Sequence, residues 1–206
     1  PWPITSPGLR KGTRSNFMAR LSIGVVGCGA IGRAILRAAD SGSVDVDIAG
    51  VCSRTESSAH EFLDTLVTPA PYLSMGELIK EADLLVEAAG GQVVPELTTA
   101  AFAAGKGAMI ISVGALIAHP EILDRSRETG CRLLMPSGAI IGLDGIKSAS
   151  VGHLDHVIMK SRKPPEALDG APHVVQNNID VWSIEHEEVI FSGSAREACV
   201  GFPANL

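Results

Sequence analysis

The sequence has 206 residues, of which 46% are hydrophobic and only 4% aromatic, and its formal net charge is −6. This length suits one large domain, or a nucleotide-binding domain with a small partner domain, and the abundant Ala, Val, Ile and Leu can build a layered core. The acidic balance without a long basic run argues against a nucleic-acid-binding protein.

Two further features narrow the class of protein. The longest apolar stretch, residues 109–118, is too short to span a bilayer, so we expect no membrane insertion. The four cysteines are widely separated and form no C-x-x-C pair, which argues against a structural metal site. Free thiols are typical of a reducing compartment, and we expect a cytoplasmic protein.

Residues 1–17 differ in composition from the rest of the chain. They are rich in Pro, Gly, Ser and basic residues and contain no acid, and they lack the apolar core of a secretory signal. Met18 begins a sequence that resembles a natural start. We expect residues 1–17 to be disordered or a non-native extension, with an organelle transit peptide as the alternative.

Strand-like and helical segments alternate between residues 21 and 135. Short apolar runs bounded by glycines or polar turns predict strands, and apolar positions at helical spacing predict helices. This alternation predicts βαβ units and a doubly wound parallel sheet, an α/β fold. The predicted strands cover residues 21–26, 46–52, 84–88, 109–113 and 132–135, and the predicted helices cover 31–39, 57–66, 76–81, 95–104 and 120–129.

The sequence changes character after Pro136. A Gly-rich segment leads into a helical pattern, and residues 153–160 and 188–192 have strand-like patterns. We therefore predict a doubly wound domain over residues 18–138, followed over 139–206 by part of a second, α+β domain with its own sheet.

Residues 27–32, between the first predicted strand and helix, have the pattern G-x-G-x-x-G. Gly27 permits a tight turn, Gly29 lets the backbone approach a pyrophosphate, and Gly32 lets helix and strand pack closely. The first helical turn, at Ala30 and Ile31, presents free N–H groups to the phosphates. A glycine turn without a ligand is the alternative, but the strand–loop–helix context favours a Rossmann dinucleotide-binding domain.

The choice of cofactor is expected to be made where the second strand ends. An acidic residue there would bind the ribose 2′-hydroxyl of NAD, and none is present. Ser53 and Arg54 can instead bind a 2′-phosphate, which favours NADP, with NAD also accepted. The alternative is that Arg54 is simply a solvated loop residue. At the end of the third strand, the backbone of Ala89 and Gly90 can approach the cofactor without side-chain clashes.

Several segments together resemble one known family. The resemblance to the bacterial and archaeal L-aspartate dehydrogenases extends over nearly all of residues 18–206. It implies oxidation of L-aspartate to iminoaspartate with NAD or NADP; the imine then hydrolyses to oxaloacetate and ammonia, or feeds quinolinate synthesis in NAD biosynthesis. The segments are LSIGVVGCGAIGRAIL, LLVEAAGG, IISVGAL, LLMPSGAIIGLDGIKSA, SRKPPEALDGAP and VIFSGSAREACVGFPANL.

The resemblance also implies roles for particular residues. Ala139 and Asn205 match cofactor contacts of the family. The catalytic histidine of the family would lie beyond Leu206, so we expect a C-terminally incomplete chain, and none of its six histidines matches that position. Members of the family are usually at least dimeric, which implies a homodimer.

A dicarboxylate substrate requires cationic donors. Arg162 and Lys163, which precede a Pro-Pro bend, are the candidates, although a surface role is equally open. Two other functions also remain open at this point. One is a related reductase of the dihydrodipicolinate or homoserine dehydrogenase type, and the other is a catalytically silent dinucleotide-binding protein.

Overall fold

The structure, a computed structural model, describes residues 20–138 and 140–203. The expected N-terminal extension and the predicted cofactor contacts Ala139 and Asn205 lie outside the described residues.

A five-stranded parallel sheet forms the centre of the first part of the chain. Its strand order is β2-β1-β3-β4-β5, and every neighbouring pair is parallel. The parallel α/β fold predicted from the alternating pattern is therefore confirmed. The strands are β1 (Leu21–Val26), β2 (Val46–Cys52), β3 (Leu84–Glu87), β4 (Gly107–Ile110) and β5 (Leu133–Leu134).

A short parallel bridge extends the sheet beyond β2. Tyr72 pairs with Val51, whose N–H donates to the Pro71 carbonyl at 2.9 Å. With this bridge in the place of an outer strand, the order across the sheet is that of the doubly wound dinucleotide-binding fold. The chain leaves β1 toward β2 on one side and returns to β3 on the other, so a crevice opens at the carboxyl end of β1.

Helices cover both faces of this sheet. Because side chains of a strand alternate between faces, Val25 packs with one layer of helices and Val26 with the other. The Val25 layer contains α1 and α2, and the Val26 layer contains α3, α4 and α6. The helices are α1 (Ala30–Asp40), α2 (Glu56–Leu63), α3 (Met75–Glu81), α4 (Val94–Ala103), α5 (Ala115–Ala118) and α6 (Glu121–Thr129).

The element boundaries differ from the predictions mainly at carboxyl ends. The predicted strand 109–113 ends at Ile110, because Ser112 turns back toward β3, and residues 115–118 form α5, which was not predicted. The predicted helix 57–66 ends at Leu63, where the N–H groups of Thr65 and Leu66 form tighter turns.

In the residues that the structure describes, the second part of the chain contains short helices, no strand and long stretches without regular structure. Residues 153–160 and 188–192 contain no strand, so these two strand predictions are wrong. A strand needs a neighbour that pairs with its backbone, and no described segment pairs with either one as a strand. A small core formed by Ala171, Val174, Val181 and Phe202 holds residues 168–202 together. The helices are α7 (Leu143–Ala149), α8 (Pro165–Leu168), α9 (Pro172–Gln176) and α10 (Ala195–Gly201).

Within residues 20–138 and 140–203, no helix combines the length and the apolar character that crossing a bilayer would require.

Candidate cofactor-binding site

The turn after β1 lies between the ends of its two neighbouring strands. The Gly27 N–H donates to the Cys52 carbonyl at the end of β2, at 2.7 Å. A Cβ added to Gly27 would stand 2.4 Å from the Ala88 carbonyl oxygen, just after β3. The glycine loop and the ends of β2 and β3 therefore meet at one edge of the sheet, where ligands bind in folds of this class.

The three motif glycines are subject to different constraints. Gly27 has a φ of 107°, which L side chains rarely adopt, and a Cβ on Gly32 would stand 2.0 Å from the Gly27 carbonyl oxygen. The protein's own backbone therefore requires glycine at both positions. A Cβ on Gly29 would have no atom within 4 Å, so open space lies against the loop at this position.

The N-terminus of α1 has the features of an anion site. Its N-cap residue Gly29 provides no side-chain cap, and its first turn contains no acidic residue. Gly29, Ala30 and Ile31 are exposed, and the Arg33 N–H bonds back to the Gly29 carbonyl at 2.9 Å. N–H groups at a helix start and the positive end of the helix dipole favour a phosphate. These residues and the space at Gly29 fit the pyrophosphate of a dinucleotide.

Arg33, which the sequence-based predictions missed, fastens the loop to helix α2. Its Nε donates to the Cys28 carbonyl at 3.0 Å, and a terminal nitrogen donates to the Ser58 carbonyl at 3.1 Å and the Ser58 hydroxyl at 2.8 Å. The guanidinium also lies 5.1 Å from the centre of the Phe62 ring. The signal in the sequence was a cationic residue directly after the last motif glycine.

The two residues predicted to distinguish NAD from NADP follow β2 at the same edge of the sheet. Ser53 is partly buried, and its carbonyl accepts a hydrogen bond from the Tyr72 hydroxyl at 2.6 Å. Arg54 is exposed and takes part in none of the ion pairs found among the described residues. Burial, followed by the charge of Glu96, raises the pKa of the neighbouring Cys52 thiol, so this thiol is protonated at neutral pH.

A buried carboxylate organises the ends of β3 and β4. Glu87 is fully buried, and its Oε1 accepts hydrogen bonds from the N–H groups of Ala89 and Gly90, both at 2.8 Å. Its carboxylate also accepts from the Ser112 N–H at 2.9 Å and the Ser112 hydroxyl at 3.0 Å. Glu87 thus fixes two of the predicted cofactor contacts. It was missed, although a charge within the apolar run LLVEAAGG was the available signal.

The residues predicted to bind substrate lie elsewhere, in an exposed segment without regular structure. The Arg162 guanidinium pairs with the Glu187 carboxylate at 2.9 and 3.0 Å, and Lys163 is exposed. In the part of the chain that the structure describes, neither forms a hydrogen bond or ion pair with the strand-end residues. The structure therefore brings together the glycine loop and the ends of β2, β3 and β4, but not Arg162 and Lys163.

Comparison with family models divides the chain into two matches. Residues 27–136 match the NAD-binding domain of homoserine dehydrogenase, and residues 144–206 match the C-terminal region of aspartate dehydrogenase. The first match covers the glycine loop and all three strand ends described above. It agrees with the geometry of that edge, and the cofactor is therefore NAD or NADP.

Relatives and a solved structure agree with these matches. The L-aspartate dehydrogenase of Methanosarcina acetivorans is 42% identical over 191 residues, which is 90% of this chain and 70% of the relative. L-aspartate dehydrogenase 3 of Bordetella bronchiseptica is 36% identical over 90% of this chain and 69% of its own length. The crystal structure of aspartate dehydrogenase from Thermotoga maritima shares the fold, with a TM-score of 0.67 at 21% identity over 91% of this chain and 70% of that one. The chain therefore belongs to the L-aspartate dehydrogenase family of NAD(P)-dependent oxidoreductases.

Proposed function

We propose that the protein oxidises L-aspartate to iminoaspartate with NADP or NAD as the hydride acceptor, after which water releases ammonia and leaves oxaloacetate. One observation carries this proposal. A chain that is 42% identical to a named L-aspartate dehydrogenase also has, at the edge of its sheet, an open glycine loop with the features of an anion-binding site. The identity supports the substrate, and the loop supports the cofactor.

The chemistry divides between the cofactor and the chain. When bound, the cofactor accepts the hydride from Cα of the amino acid. The N–H groups at the start of α1 would hold the pyrophosphate, and the turns after β3 and β4 would flank the other half of the dinucleotide. The amine must also lose a proton, and we assign this role to none of the six histidines of the chain.

The assignment of individual residues and domains is also a proposal. Arg162 and Lys163 would bind the substrate carboxylates, which requires Arg162 to exchange its Glu187 partner for substrate. Residues 18–138 would form the dinucleotide domain and 139–206 part of the substrate domain. The proposed cofactor contacts are Gly27, Gly29, Ala30, Ile31, Gly32, Ser53, Arg54, Ala89, Gly90, Ala139 and Asn205.

Three broader expectations accompany this function. We propose that the protein acts in the cytoplasm, that it assembles as a homodimer, and that its iminoaspartate supplies NAD biosynthesis. None of them changes the chemistry of the site.

A panel of substrates tests the reaction. With the full-length protein and each cofactor, we expect reduction of the nicotinamide with L-aspartate to exceed that with L-alanine by about 100-fold or more, because L-alanine leaves the cations for the second carboxylate unpaired. The measurement is nicotinamide absorbance over time. Turnover of L-homoserine instead would favour the homoserine type of enzyme, whose NAD-binding domain matches residues 27–136. Cofactor binding without turnover of any substrate would favour a silent binding protein.

Replacing Arg54 with alanine tests the preference for NADP. We expect the Kd for NADP to rise about 10-fold, because one charge-assisted hydrogen bond to the 2′-phosphate is lost, while the Kd for NAD changes about 2-fold or less. Titration of each cofactor measures both constants. Arg127→Ala removes another exposed guanidinium, on α6 and paired with Asp124, and is the control. Equal weakening of both cofactors by Arg54→Ala would refute the role of Arg54 at the 2′-phosphate.

A further inference from the structure

The Glu87 carboxylate is an unusual feature of the site, because it is fully buried and its described partners are hydrogen-bond donors without a formal charge. Three of its four hydrogen bonds come from backbone N–H groups, and the fourth comes from the Ser112 hydroxyl. Among the described residues, no Lys, Arg or His forms an ion pair with it. Both oxygens accept from N–H groups, which suits an ionised carboxylate, a group that only accepts. In the described part of the site, the hydrogen bonds thus fit a carboxylate anion, and no described cationic side chain is in ion-pair contact with it.

The position of Glu87 in the sheet indicates which half of the proposed dinucleotide would lie near it. The proposed pyrophosphate site is at Gly29. The end of β2 lies on one side of β1, and in this fold the ribose of the adenosine half binds there. The other half of the dinucleotide must then extend across the opposite side of β1, over the ends of β3 and β4. Glu87 is the last residue of β3, and through Ser112 it holds the turn that follows β4. With the dinucleotide bound in this way, Glu87 would lie on the nicotinamide side of the site.

We propose that Glu87 is a positioning residue that also discriminates between the two redox states of the cofactor. Its hydrogen bonds hold the turns at residues 88–90 and 112 in the shape that receives the nicotinamide. Its charge favours the oxidised ring, which is positively charged, over the reduced ring, which is neutral. The Glu87 carboxylate would therefore attract a bound oxidised ring, and it would attract the uncharged reduced ring less.

The substitution Glu87→Gln removes the charge of the side chain and keeps its size. Glutamine cannot reproduce the native hydrogen bonds, because with its oxygen at the Oε1 position its amide NH₂ would face the Ser112 N–H. We therefore expect Glu87→Gln to weaken both forms of the cofactor. The loss should be about 10-fold greater for the oxidised form, which corresponds to about 1.4 kcal/mol of charge interaction. The adenosine and pyrophosphate are common to both forms, so the ratio of the two Kd values isolates the nicotinamide.

The experiment titrates the full-length protein with oxidised and reduced cofactor and follows the thermal unfolding of each variant. Ser112→Ala removes one hydrogen bond but keeps the anion, and it should change both Kd values by the same factor. Glu87→Asp keeps the charge on a shorter side chain and should preserve the ratio, which supplies the test if Glu87→Gln does not fold. A wild-type ratio in Glu87→Gln, or an altered ratio in Glu87→Asp, would overturn the proposal.

This inference rests on the proposed cofactor site, and the same titration tells the two failures apart. If the wild-type protein binds neither form of either dinucleotide, the cofactor site itself is wrong. If the wild type binds both forms and Glu87→Gln keeps the ratio, only the role of the Glu87 charge is wrong.

Discussion

Replacing Gly29 with aspartate should abolish dinucleotide binding and leave the fold intact. A Cβ at Gly29 meets no atom within 4 Å, and its φ of −85° and ψ of −163° suit any L residue. Aspartate is a strong N-cap residue, so its carboxylate would accept hydrogen bonds from the N–H groups of Ile31 and Gly32. It would then take the place of the phosphates and repel them. We expect the Kd of NADP to rise about 100-fold or more.

The stability of the Gly29→Asp protein distinguishes a blocked site from a damaged fold. Gly and Asp differ by only a few tenths of a kcal/mol as N-caps, so the free energy of unfolding should change by about 0.5 kcal/mol or less. Gly76→Asp is the matched control, since Gly76 lies in the first turn of α3 and also faces open space. It should bind cofactor like the wild type. Unchanged binding by Gly29→Asp would mean that the pyrophosphate does not lie at this loop.

Replacing Gly32 with alanine should destabilise the whole domain. The added Cβ would stand 2.0 Å from the Gly27 carbonyl oxygen, and that oxygen belongs to backbone, which cannot swing aside as a side chain can. Helix α1 or the turn after β1 must move, and α1 lies close to Val25 of β1 at this point. We expect the free energy of unfolding to fall by about 3 kcal/mol, the upper end of the usual range for overpacking. Cofactor binding should weaken at the same time.

Denaturant unfolding measures the effect of Gly32→Ala. The midpoint should shift while the slope stays the same, since the change affects the native state. Gly76→Ala adds the same methyl group to α3 in open space, and we expect it to stabilise the protein by about 0.5–1 kcal/mol. A Gly32→Ala protein within about 1 kcal/mol of wild type would show that the helix can shift without loss of packing.

The sequence was sufficient to predict the sheet because its inner strands are largely buried, as residues 23–26 of β1 and the whole of β3 show. Runs such as 21–26 and 46–52 are bounded by glycines and polar turns, and their observed limits agree with the predicted ones. The strands predicted at 153–160 and 188–192 failed for a different reason. A local pattern shows that a segment can be extended, but it does not show whether another segment pairs with it.

The candidate site, too, could be predicted only where its residues lie close together in the sequence. The glycine loop is contained within six residues, so a motif was enough to predict it. Glu87 and Arg33 each act on a partner 25 residues away in sequence, Ser112 and Ser58 respectively. The first contact exists because the adjacent parallel strands β3 and β4 end side by side, and the second because α1 and α2 pack in the same layer on the sheet. The residue types were visible in the sequence, but their partners were not.

The bonds from Arg33 to Cys28 and Ser58 have a consequence for protein engineering. They couple the turn after β1 to helix α2, which begins directly after the residues that follow β2. An exchange of residues 53–55 alone leaves Cys28, Arg33 and Ser58, and therefore these bonds, in place. A longer exchange that also replaces Ser58 would remove the hydroxyl that accepts a hydrogen bond from Arg33, so an engineered loop after β2 should end before α2 or retain Ser58.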